Sequence, residues 1–170
     1  MTNQDTVTGR LSRRPLRGVV ALLCTAGLLA TMAGSAMSAQ AVVKDETFVD
    51  AQTPGLLYIE GGECFDDPTH LPEAGGVVVR YRPCALGADN QAYGFVHADD
   101  TDWDPVALRE FAWSACRALF TSTWPDDTGQ ALRFYPAMPT METWADGDRD
   151  VMCVVYRFGG RLTGSVLPRW

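Results

Sequence analysis

Asp104-Pro105-Val106-Ala107-Leu108-Arg109-Glu110-Phe111-Ala112-Trp113-Ser114-Ala115-Cys116-Arg117-Ala118-Leu119-Phe120 decides the fold. Asp104 suits the N-cap, where a carboxylate accepts from free backbone N–H groups, and Pro105 suits the first helical position. Leu108, Phe111, Ala112, Ala115, Cys116, Leu119 and Phe120 recur at i, i+3, i+4, i+7, i+8, i+11 and i+12, so one face is apolar from end to end. Such a helix requires a surface to cover, and the flanking sequence offers strands on both sides.

Upstream, Leu56 to Glu60 is a short apolar run stopped by Gly61-Gly62, and Val77 to Arg82 alternates before ending at Pro83. The alternation puts Val77, Val79 and Tyr81 on one face. Tyr93, Phe95 and His97 share one side of a third expected strand. Downstream, Leu132 to Tyr135 and Asp150 to Phe158 read as strands, and Gly159-Gly160 predicts a hairpin returning through Arg161 to Leu167. The expectation is an α+β fold, a small antiparallel or mixed sheet packed on one main helix and held by two disulfides.

Four of the five cysteines fall in this region. Cys116 lies inside the apolar stripe of the helix, and Cys153 shares a strand face with Val151 and Val155, so a bridge between them would staple helix to sheet. Cys64 follows the first expected strand and Cys84 the second, which makes them partners if those strands are neighbours. Four cysteines allow three connectivities and spacing alone does not choose. The favoured pairing is Cys64 with Cys84 and Cys116 with Cys153. Zinc is the competing use, but no C-x-x-C pair is present and an export signal implies an oxidising compartment.

That signal is the N-terminal segment 1–41. Arg10, Arg13, Arg14 and Arg17 precede an uncharged stretch from Gly18 to Val43 whose most apolar part is Val19 to Leu29. Ala39-Gln40-Ala41 has the small-x-small form of a cleavage site, which places the cut after Ala41. The uncharged stretch also exceeds the ~20 residues that span a bilayer, so an uncleaved membrane anchor is the alternative. Arg13-Arg14 is a weak twin-arginine signal, and Cys24, preceded by Leu23, reads as an apolar residue of the signal core and not a lipidation site. Residues 42–55, with Pro54-Gly55 at the end, read as a short tether, and residues 56–170 as the domain.

The chain holds 14 basic and 21 acidic residues, for a net charge of −7. Four of the arginines and Asp5 precede Ala41, leaving ten basic against twenty acidic residues in the exported part. Phosphate backbones repel such a surface, which argues against nucleic acid as a partner.

Several short motifs now come together. Gly62-Glu63-Cys64-Phe65, Pro83-Cys84 closing a valine-rich strand, Ala112-x-x-x-Cys116, Pro139 followed by Trp144-x-x-Gly147-Asp148-Arg149-x-x-x-Cys153, and Leu162-Thr163-Gly164-Ser165 resemble the septum-formation family of actinobacterial exported and membrane-tethered proteins. The resemblance covers nearly the whole domain, and the Trp to Gly-Asp-Arg to Cys spacing is its specific part. It implies an envelope location and partners among division or cell-wall proteins. Two positions depart from the family. Glu63 stands where the family has Asp, and Gly87-Ala88 and Gln91 stand where it carries Pro-His and Glu, so a site built on that His and Glu would be missing here.

Other candidate chemistry is sparse. Asp100, Asp102 and Asp104 have the opening of a calcium loop, but Pro105 sits where glycine is demanded and Phe111 where the twelfth-position carboxylate belongs. Asp146, Asp148 and Asp150 repeat the spacing around Gly147, where a tight turn is the expectation. His70 and His97 are the two histidines, and Ser114, Ser122 and Ser165 lack a nucleophile elbow or a paired base. No cofactor and no metal are expected. Trp144, Gly147, Asp148 and Arg149 are expected to form a structural corner, with Trp144 covering one end of the core while Arg149 binds carboxylates or carbonyls. The functional expectation is a non-catalytic interaction domain of the cell envelope. The alternative is a small envelope hydrolase using His70 or His97 with nearby carboxylates.

Overall fold

The computed structural model describes residues 42–125 and 131–168. The signal or anchor expected over 1–41, with its cleavage position, lies outside the described residues. Among those described, no helix is long and apolar enough to cross a membrane.

The fold is α+β. Elements run β1 (Cys64–Phe65), β2 (Thr69–Leu71), β3 (Gly76–Val78), β4 (Asn90–His97), α1 (Pro105–Thr123), β5 (Leu132–Ala137), α2 (Met141–Ala145) and β6 (Asp150–Arg157). Four strands form an antiparallel sheet in the order β1-β4-β6-β5, while β2 and β3 make a separate hairpin. Helix α1 begins as the sequence predicts. The Asp104 carboxylate accepts from the N–H groups of Val106 and Ala107 at 3.0 and 3.1 Å.

Strand β6 explains the layering. Val151 through Tyr156 are all buried, so both faces of this central strand require a cover. Val151, Cys153 and Val155 meet Leu108, Ala112 and Cys116 of α1. Met152, Val154 and Tyr156 face the other way, toward Val49, Leu56, Ile59, Phe65 and Val79. That second cover is irregular chain, and it corrects the expected tether over 42–55. A tether would be solvated, whereas Val49 and Ala51 are buried, Ala51 N–H donates to the Met138 carbonyl at 3.0 Å, and Lys44 is 6% exposed. Leu56 to Glu60 is not a strand either. Leu56–Tyr58 forms a single 3-10 turn entered through Gly55, whose φ of +92° and approach to the Val79 backbone leave no room for a side chain.

Three further strand expectations shift for identifiable reasons. The strand expected over Val77 to Arg82 stops at Val78 and pairs with β2, while Tyr81 makes only an isolated bridge to Phe65. Val79 turns inward beneath Pro54, whose carbonyl takes its N–H at 2.8 Å. In β4 the register slips between Ala92 and Gly94, so Tyr93 is an extra residue in the ladder. Tyr93 therefore reaches the helix, its hydroxyl donating to the Cys116 carbonyl at 2.7 Å, and does not share a side with Phe95. The hairpin expected after Gly159-Gly160 does not form because β6 is already paired on both edges, with β4 and with β5. Leu162 bridges Ala88 instead.

Both expected disulfides are present. Cys116–Cys153 fastens α1 to β6 across 5.4 Å between Cα atoms, and Cys64–Cys84 fastens β1 to the turn Cys84–Leu86 across 5.2 Å. The reason for the second differs in part from the expectation: Leu56–Tyr58 is not a strand, but β1, which carries Cys64, meets β4 on one side and residues 80–82 on the other, where the Arg82 N–H donates to the Cys64 carbonyl at 2.8 Å. Two such bridges are consistent with a stabilised domain in an oxidising, extracytoplasmic compartment.

Candidate functional site

Trp144 and Arg149 meet in one corner. Thr140 and Thr143 cap each other's backbone to start α2, and Gly147, at φ +94°, turns the chain toward β6. This folds Arg149 back over the Trp144 ring, 3.9 Å from its centroid. Its Nη1 donates to the Trp144 and Asp148 carbonyls at 2.7 and 2.9 Å, and its Nε and Nη2 donate to Asp100 Oδ1. The Trp144 indole N–H closes the corner on the Thr101 carbonyl at 3.1 Å. Asp148 Oδ1 accepts the Asp150 N–H, while its Oδ2 is buried with no hydrogen-bond partner among the described residues.

Gln91 is fully buried and joins several of the segments quoted above. Its amide nitrogen donates to the Gly62 carbonyl at 2.9 Å and to Ser165 Oγ at 2.8 Å, and its oxygen accepts the Val166 N–H at 2.9 Å. The residues that carry the resemblance thus fall into two groups, one around Gln91 and Cys64–Cys84, the other around Trp144 and Cys153.

The histidines are not brought together. His70 is exposed on β2, and His97 lies on β4 with its Nδ1 2.8 Å from Asp150 Oδ1, the two side chains 71% and 61% exposed. The acidic run does not converge either. Asp104 caps α1 and Asp100 pairs with Arg149, and no group of three or more His, Cys, Asp or Glu among the described residues is placed to hold a metal ion.

Two arrangements escaped the sequence reading. The first surrounds Lys44. Its ammonium pairs with Asp67 Oδ1, donates to Asn90 Oδ1 at 2.8 Å, and lies over the Phe48 and Tyr156 rings at 4.9 and 5.1 Å. Asn90 is fully buried, its Nδ2 donating to Asp67 Oδ1 at 2.8 Å and its Oδ1 accepting from the Tyr135 hydroxyl at 3.1 Å. Burial holds the Lys44 ammonium below its ordinary pKa, more than the adjoining Asp67 carboxylate restores, and burial pushes the Tyr135 phenol up. The available signal was composition, because Lys44 is the sole lysine of the chain.

The second is a cavity of about 370 Å³ between the C-terminal half of α1 and β5, lined by Trp113, Arg117, Phe120, Trp124, Leu132, Arg133 and Phe134. Its rings brace one another, with Phe120 4.9 Å from Trp124 and 5.0 Å from Phe134 between centroids. Both indole N–H groups are already used, Trp113 on Glu46 and Trp124 on the Val166 carbonyl, each at 3.0 Å. Its charged groups are two guanidinium groups, Arg117 over the Phe134 ring at 5.8 Å and Arg133 over the Phe158 ring at 5.6 Å; among the described residues neither pairs with a carboxylate, while Lys44, Arg82, Arg109, Arg149 and Arg161 all do.

No protein-family model matches the chain, and no curated protein or solved structure matches it either.

Proposed function

We propose that this protein is an exported, disulfide-stabilised, non-catalytic interaction domain of the cell envelope, linked by its motifs to septum formation and cell division. The observation that carries the reading is the cavity between α1 and β5. Braced aromatic rings and two arginines that form no ion pair among the described residues are recognition chemistry: they offer apolar area at little entropic cost and bind anionic groups directionally. The motif residues support it from the other side, since Trp144, Arg149 and Gln91 direct their hydrogen bonds into the scaffold.

The second reading is an envelope hydrolase, and one observation favours it: His97 and Asp150 are in hydrogen-bond contact. Crosslinking in intact cells separates the two. Arg117→Glu with Arg133→Glu should abolish capture of the partner found with the unaltered protein, at unchanged melting temperature, and His97→Ala should not. Loss of function in a stably folded His97→Ala protein, with capture by the double arginine variant intact, would establish the hydrolase instead.

A further inference from the structure

The Lys44 cluster holds an amine, a primary amide and a carboxylate in mutual contact inside an apolar setting. Lys44 is 6% exposed and Asn90 fully buried, and the rings of Phe48, Tyr135 and Tyr156 surround them. Asp67 Oδ1 receives hydrogen bonds from both nitrogens that would have to exchange a proton, Lys44 Nζ and Asn90 Nδ2. The oxygen on which charge would develop, Asn90 Oδ1, already takes a hydrogen bond from the Tyr135 hydroxyl. From this geometry we infer that Lys44 and Asn90 condense within the folded domain to a side-chain amide crosslink, with Asp67 carrying the protons and Tyr135 stabilising the oxyanion.

The chemistry balances with the groups present. The Lys44 ammonium gives one proton to Asp67, and the neutral amine attacks Asn90 Cγ, forming a C–N bond as the carbonyl electron pair moves onto Oδ1. Asp67 then protonates Nδ2 and takes the second proton from Nζ. Collapse of the tetrahedral centre breaks the Cγ–Nδ2 bond, and ammonia leaves. The products are a secondary amide and ammonia, which recovers the proton from Asp67; no oxidant, reductant or cofactor is consumed. The lowered pKa of Lys44 favours the attacking amine, and the raised pKa of Tyr135 keeps its hydroxyl a donor. Asn90, more deeply buried than the 39% exposed Asp67, is the better-held acyl group, while the carboxylate keeps access to water for proton return. The reaction is a single event on the protein's own side chains, independent of any partner.

Intact mass of the exported protein tests this directly. The expected value, after allowing for the N-terminus found and both disulfides, is lower by one ammonia, about 17 Da, with residues 44 and 90 recovered in one branched peptide. Lys44→Arg and Asp67→Asn should each restore the full mass while keeping both disulfides and the circular dichroism of the parent. Tyr135→Phe, which removes only a hydroxyl, should slow formation about a hundredfold, so that freshly exported protein contains the uncrosslinked form. It also serves if Asp67→Asn fails to fold. Full mass in the unaltered protein overturns the inference, as does loss of water with Lys44 joined to Asp67, or a crosslink that survives Asp67→Asn.

Discussion

Replacing Arg149 with alanine should be among the most destabilising changes outside the disulfides. Its side chain is 13% exposed, and alanine removes two hydrogen bonds to the Trp144 and Asp148 carbonyls together with the stack on the Trp144 ring. Hydrogen bonds from a charged donor contribute about 1.5 to 3 kcal/mol and a largely desolvated cation–π contact about 1 to 2 kcal/mol. Because these terms share one geometry they do not add fully, and about 3 kcal/mol is the expected loss. The melting temperature of a domain of ~130 residues should then fall by roughly 10 °C. Asp100→Ala is the control. That carboxylate is 87% exposed, so its ion pair is screened and its removal should cost under about 0.5 kcal/mol. Urea unfolding of both variants, disulfides intact, measures the difference. An Asp100→Ala protein as unstable as Arg149→Ala would refute the argument that buried carbonyls, and not the surface pair, account for the corner.

Three other outcomes are expected. Cys116→Ala with Cys153→Ala opens a loop with a sequence separation of 37, which the chain-entropy model values at about 4 kcal/mol, and should lower the urea midpoint and exported yield together. Gln91→Glu leaves the Gly62 carbonyl without its donor and places a carboxylate where an amide was fully buried, so equilibrium unfolding should show a loss of about 1 to 3 kcal/mol near neutral pH. Burial raises the Tyr93 and Tyr135 phenols above the ordinary 10.0, so the unfolded chain ionises first as pH rises. Stability they contribute is intact below pH 10 and declines above it, and Tyr93→Phe should flatten that decline in a pH series of melting temperatures.

Helix α1 was legible because cap, proline and seven apolar positions state one periodicity, and tertiary packing agrees with it. Strand β6 was legible in extent but not in implication. Val151-Met152-Cys153-Val154-Val155-Tyr156 is apolar on both parities, which demands a layer on each face, yet residues 44–59 have neither period and resemble free chain. The Tyr93 bulge and the missing final hairpin follow from which strands neighbour β6, a long-range matter that local patterning does not encode. At the candidate sites, the Trp144–Arg149 corner could be read because it lies within six residues of chain. Lys44, Asp67, Asn90 and Tyr135 come from four separate segments, and the cavity of Trp113, Trp124 and Arg133 joins a helix to a strand beyond a loop, so neither had a spacing to recognise.

The margins of the main sheet bear on how the protein meets others. One outer strand, β1, is two residues long and tied down by Cys64–Cys84; the other, β5, carries Pro136, which has no N–H to donate, and Met138 just beyond it is engaged by residues 50 and 51. Among the described residues, one margin is too short to template a partner strand and the other is interrupted by a proline near its end. Association by strand addition is therefore disfavoured at both margins of this sheet, which puts the weight of recognition on side chains.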